Sequence, residues 1–169
     1  RIRILLNYFS REESEYEKLA EQDRQRLLKY SKNKNLEFQV AEIERFEKQI
    51  KWADVMYMRG GSTELLMKKL RKVKNVERLF EGKVIAGSSA GAYALSKYYY
   101  GNNSKMLGNG LGILNIKCYC HCEPQDMKII KKLMVSPLPS SKAKSTPPSI
   151  PFSPSSPRKL KKPLTSTSP

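Results

Sequence analysis

A chain of 169 residues is enough for one domain with one core and too short for two. It carries 32 lysines and arginines against 16 acidic residues, and the resulting charge of +16 attracts polyanions and acidic surfaces. Its apolar runs are short, none near the roughly 20 residues a membrane-spanning helix needs, and the start lacks the layout of a signal peptide. A membrane role is therefore excluded and a cytoplasmic protein expected. Cys118, Cys120 and Cys122 lie too close together to form the spaced framework of a disulfide-stapled secreted domain, so reduced thiols are expected.

In chain order, residues 2–8 form an apolar strand, and Ser10 followed by Glu13 has the spacing of a capping box that opens a helix. Tyr16, Leu19, Ala20, Leu27, Leu28 and Tyr30 make the apolar stripe of that helix. Residues 36–40 read as a second strand, and Ile43, Phe46 and Ile50 space a short amphipathic helix. A third strand at 54–58 runs into Gly60-Gly61-Ser62-Thr63. The helix predicted at 63–73 turns Leu65, Leu66 and Leu70 inward and Lys68, Lys69, Arg71 and Lys72 outward. A fourth strand at 83–86, a helix at 90–98, a fifth strand at 116–121 and a last helix at 124–133 complete the pattern. Such switching between strand and helix periods is that of an α/β protein with a mostly parallel sheet. Residues 1–134 read as the folded domain. Residues 135–169 hold nine of the ten prolines, six basic residues and no acidic ones, and are expected to be disordered.

Two glycine motifs bear the chemistry. Gly87-Ser88-Ser89-Ala90-Gly91 fits G-x-S-x-G between a strand and a helix, a turn that lifts its central serine clear of the sheet. The Ala90 amide at the helix start can face an oxyanion, and the Gly61 amide of the other glycine turn can complete the hole. Both turns follow strands, at the sheet end where ligands of open parallel sheets bind. The pentapeptide also fits an ordinary Gly/Ser turn, and the Gly60-Gly61 turn fits an anion-binding loop without catalysis. His121, the one histidine of the chain, ends the fifth strand. A lone histidine is most often structural, but a serine nucleophile needs a base of near-neutral pKa and no other side chain supplies one.

The strand then GGST, the strand then GSSAGA, the loop GLGILN at 110–115 and the strand ending in His121 together resemble the dipeptidase E and cyanophycinase group of serine peptidases. The resemblance covers roughly residues 1–134. It implies a three-layer α/β fold of class I glutamine amidotransferase or flavodoxin type, with Ser89 as nucleophile, His121 as base, and the Gly61 and Ala90 amides as oxyanion hole. The implied activity is hydrolysis of small peptides, often next to an acidic residue, with no cofactor and no metal. Where that group carries an aspartate after the elbow helix, this chain has Gly101-Asn102-Asn103-Ser104, so the third member is expected to be Ser104 or Glu123. The group also has a strand and helix ahead of the position of Ile2 and further strands after the last helix. The chain is thus expected to be incomplete at both ends, its tail the product of truncation or a frame shift.

Other readings are weaker. On a strand the three thiols share one face and His121 takes the other, which splits any metal set, and zinc-type C-x-x-C pairs are missing. Nucleic-acid binding would rest on the basic excess alone, without a recognised motif or interleaved aromatics, and is expected only as a nonspecific property of the tail. A catalytically impaired basic module that binds anions or nucleic acid is the alternative to the peptidase. Nothing in the sequence sets an oligomeric state.

Overall fold

A computed structural model describes residues 1–101 and 106–135. Ser104 and the tail from residue 136 onward lie outside the described residues, and so does the disorder expected of that tail.

Strand β1 (Ile2–Asn7) is the centre of the molecule. Because successive side chains of a strand point to opposite faces, Leu5 enters one core while Ile4 and Leu6 enter another. The first core packs Leu5 with Met56, Met58, Phe46, Ile50, Leu66 and Leu70. The second covers Ile4, Leu6 and Tyr8 with Ala20, Tyr16, Leu19 and Leu27. Helix α1 (Tyr16–Tyr30) thus lies on one face, and α2 (Phe46–Trp52), α3 (Thr63–Leu70), α4 (Val76–Leu79) and α5 (Ala90–Leu95) on the other. This is the expected three-layer α/β fold.

Strands β2 (Leu36–Val40), β3 (Val55–Met58) and β4 (Val84–Gly87) join β1 in a parallel sheet of order β2-β1-β3-β4. The chain steps to one side of β1 for β2 and returns across it for β3. The order therefore reverses at the β1/β3 junction, the switch point beyond whose carboxyl strand ends open parallel sheets form their ligand crevice.

Several elements differ from the sequence reading. The helix at 90–98 stops at Leu95, and β5 (Ser96–Tyr100) begins at once. Its Tyr-Tyr-Tyr run favours a pleated strand, with Ser96, Tyr98 and Tyr100 buried in alternation. The predicted fifth strand is β7 (Leu114–Cys118), which pairs in parallel with β5 rather than extending the main sheet. With β6 (Leu107–Asn109), antiparallel to β5, it makes a second sheet of order β6-β5-β7. The loop at 110–115 closes onto the end of α5, its Leu111 and Gly112 amides donating to the Ala94 and Ser96 carbonyls at 2.8 and 3.1 Å. Helix α6 (Met127–Val135) follows a 3-10 turn, Pro124–Asp126.

The capping box at Ser10 does not form, because the Ser10 hydroxyl donates instead to the Arg59 carbonyl at 2.8 Å and α1 starts only at Tyr16. On α1, Leu28 and Tyr30 face solvent, while Asp23 is buried on Arg59 at 2.8 Å and accepts from the Tyr8 hydroxyl at 3.1 Å. On α3, Met67 joins Leu66 and Leu70 in the core. Lys69 turns back over the rings of Phe9 and Tyr16, its ammonium 3.0 Å from the Tyr16 hydroxyl, so only part of the expected basic face points outward. Burying the lysine stem while its charge meets aromatic faces and a hydroxyl is the cheaper arrangement beside an apolar core.

Candidate active site

Three strand ends build the crevice. After β4 the backbone turns so sharply into α5 that Ser89 sits at φ 48° and ψ −108°, a region L-residues seldom enter. Both flanking glycines are required by crowding. A side chain at Gly87 would lie 2.5 to 2.8 Å from the backbone of Gly91 and Ala92, and one at Gly91 would strike the Met58 carbonyl of β3. The Ser89 turn is thus wedged closely against the next strand.

The loop after β3 is held just as closely. Arg59 donates its amide to Asn7 O at 3.0 Å, Gly60 donates to Ser88 Oγ at 3.0 Å, and Ser62 donates to Ser10 O at 2.9 Å. The Gly60 carbonyl accepts from Arg11 Nε at 2.9 Å, and Ser62 Oγ caps α3 by accepting from the Leu65 amide. Among the described residues the exposed Gly61 N–H is the loop donor left without a partner. Gly61 also admits no side chain, because a Cβ there would meet Ser10 and, at 2.8 Å, Arg11 Nε. Across the crevice the Ala90 N–H opens α5, where an amide has no carbonyl of its own helix to meet. Gly60 approaches so near that a Cβ on it would lie 2.9 Å from Ser89 Cβ, and the Ser88 hydroxyl, shared with the Tyr57 hydroxyl at 3.2 Å, ties the two turns together.

His121 comes from the second sheet. Strand β7 ends at Cys118, not at His121, and His121 adopts φ 55° in a turn beyond it. Histidine tolerates that left-handed region better than most residues. The turn brings its Nε2 to 2.9 Å from Ser89 Oγ. Elbow and imidazole therefore meet although they are 32 residues apart. Cys118 Sγ and Cys120 Sγ lie 3.7 Å apart on one side, as expected of alternate strand positions, while exposed Cys122, past the end of β7, turns to the Glu123 carbonyl. Burial pushes the Cys118 thiol up to about 12, so it stays protonated and unreactive near neutrality.

Glu123 lies just past this turn, but its carboxylate is taken up by the following helical turn. It accepts from the Asp126 amide in a capping box and from Gln125 Nε2. Among the described residues no group of three or more His, Cys, Asp or Glu side chains could hold a metal ion, and no helix is long and apolar enough to cross a membrane.

Sequence reasoning missed the residues that hold this arrangement. The spacing of Ser10 suggests a helix cap and the motif assigns Ser88 no role, although both hydroxyls fasten the Gly60-Gly61 loop. Tyr93 is buried on α5, and its hydroxyl accepts from the Cys120 amide at 3.0 Å. A tyrosine inside an apolar helix is the signal that would have found it, since a buried phenol needs a partner.

A crystal structure of a candidate peptidase E protein from Listeria monocytogenes EGD-e has a similar fold, with a TM-score of 0.54 and 16% identity over 78% of this chain and 74% of that chain. No curated protein matches the chain. Residues 9–136, most of the folded part, match the family model of peptidase family S51, with both glycine turns and His121 inside the matched stretch. The chain belongs to peptidase family S51, a family of serine-type hydrolases.

Proposed function

We propose that the chain hydrolyses small peptides of the kind dipeptidase E takes, through Ser89 as nucleophile and His121 as base. The observation that carries this reading is the 2.9 Å approach of Ser89 Oγ to His121 Nε2 at a strained strand-to-helix turn, a distance within proton-transfer reach. As Ser89 Oγ attacks the scissile carbonyl carbon, its proton passes to Nε2. The oxyanion that forms takes hydrogen bonds from the Gly61 and Ala90 amides. Collapse breaks the C–N bond, and the leaving amine takes the proton from His121. Water then attacks the acyl-enzyme with His121 again as base, which frees the acid and restores the Ser89 hydroxyl.

The unspent Gly61 N–H supports this assignment, because the neighbouring groups of its loop are all engaged. The orienting third member would be Ser104, or Glu123 if its carboxylate leaves the helix cap. The test is hydrolysis of a panel of Asp-X and other dipeptides by the full chain, followed through amine release. Turnover by the wild type and none by Ser89→Ala is expected. Equal turnover by both proteins would refute the assignment.

A further inference from the structure

We propose that Tyr93 is a positioning residue that sets the base against the nucleophile by holding the backbone of Cys120, and this inference rests on the reading of Ser89 and His121 above. Tyr93 and Ser89 ride on the same short turn and helix, while His121 arrives from another sheet. The last register partner of β7 is Cys118, opposite Tyr99, so the ladder stops three residues short of His121.

The Tyr93 phenol bridges this gap. Its oxygen accepts from the Cys120 amide at 3.0 Å and lies 3.5 Å from the Cys120 carbonyl, within reach for its own proton. A second contact runs the same way, from the Cys120 thiol to the Ser89 carbonyl at 3.7 Å. Both bind the residue before His121 to the element that bears Ser89.

The tyrosine itself is enclosed. It is 5% exposed, and its ring stacks on Tyr99 with centroids 4.8 Å apart and planes at 16°. Tyr99 is the β5 residue paired with Cys118, so one stacked pair touches both the strand that delivers the base and the turn that presents it. A hydroxyl in this place fixes the distance between two catalytic groups from different sheets. Displacing such groups by about 1 Å costs on the order of 100-fold in rate.

Tyr93→Phe keeps the ring, its burial and its stack, and deletes the bond to Cys120. Fluorophosphonate labelling and dipeptide turnover are expected to fall about 10- to 100-fold, with the loss in kcat and KM within about twofold. Tyr30→Phe, which removes an exposed hydroxyl at the end of α1, should label at the wild-type rate.

The chain holds one histidine, so its ring Cε1–H resonance reports its position without reference to activity. In the wild type this resonance should move on Ser89→Ala. In Tyr93→Phe it should already be displaced, and adding Ser89→Ala should change it no further. Slow exchange of the Cys120 amide in the wild type is expected as well, a measurement that needs no variant.

A wild-type labelling rate and an unmoved resonance in Tyr93→Phe, or a fast-exchanging Cys120 amide, would overturn the positioning role alone. Absence of labelling in the wild type would overturn the reaction assigned to Ser89, while the resonance and the amide would still decide whether Tyr93 places the ring.

Discussion

The two sides of the crevice are built by different means. On the Ser89 side the close approach comes from glycines: Gly87, Gly91 and Gly60 let β3, β4 and α5 approach until no Cβ fits, and the resulting crowding holds Ser89 at positive φ. On the His121 side the contacts come from side chains. His121 hangs beyond the end of β7, and the backbone ahead of it is held by the Tyr93 phenol and the Cys120 thiol. The first side is stiff because close-packed backbone has nowhere to move. The second is adjustable because it depends on single hydrogen bonds, each worth about 1 kcal/mol net. A side chain added at Gly60, Gly87 or Gly91 should therefore cost fold and reaction together, and substitutions on the second side should cost the reaction first.

The largest effect expected is that of Ser89→Ala, which removes the attacking oxygen and should lower peptide turnover by about 10,000-fold or more without changing thermal stability greatly. Steady-state kinetics beside a melting curve checks both halves of that statement. Next comes Gly61→Ala. The added methyl meets Ser10 and Arg11 and turns the unspent amide away, so turnover should fall by about 100- to 1,000-fold. Gly91→Ala should report on the stability of the stiff side, losing about 3 kcal/mol in denaturant unfolding because its methyl meets the carbonyl and Cβ of Met58 in β3.

Alkali offers a milder test of the adjustable side. Burial, the chief cause, pushes the Tyr93 phenol up to about 12. A phenol whose folded value is raised contributes stability in full below its unfolded pKa of about 10 and loses it as the pH climbs through the folded value. Wild-type stability should thus decline between about pH 10 and 12 more steeply than that of Tyr93→Phe.

The smallest effect lies away from the crevice, at Asp54. The Arg3 side chain, bonded to it at 2.6 and 3.1 Å, holds that carboxyl well below the usual carboxylate range. With the folded value depressed, the pair helps fully above the unfolded value near 4 and loses its contribution as pH falls. Asp54→Asn should lower the melting temperature only slightly, because both groups are two-fifths exposed. The gap to wild type should narrow as pH drops from about 5 to about 2.

How much of this was readable in the sequence follows the same division. The elbow, the Gly60-Gly61 turn and the main sheet are local: a few residues with fixed spacing imply a backbone shape, and the apolar runs at Ile2–Asn7 and Val84–Gly87 read as strands, the first largely buried and the second at the sheet edge with Val84 exposed. The histidine was found by elimination, but its route was not. Residues 96–98 read from the sequence as the end of the helix at 90–98, whereas pairing with β7, some eighteen residues on, makes Ser96–Tyr100 a strand. Long-range pairing of that sort leaves no periodic trace. The same holds for Ser10, whose spacing to Glu13 promised a cap while its hydroxyl is drawn to the Arg59 carbonyl, 49 residues away. Asp23 is a third instance, a charge in an amphipathic helix that is buried only because Arg59 waits opposite.

The central claim is that Ser89 is a nucleophile activated by His121, and covalent trapping tests it most directly. The full-length chain should be incubated with a fluorophosphonate, digested and mapped by mass spectrometry, alongside Ser89→Ala and His121→Ala. A single adduct on Ser89, absent from the first variant and formed far more slowly in the second, is the expected result. An unmodified Ser89, or an adduct that forms just as fast without the imidazole, would contradict the account.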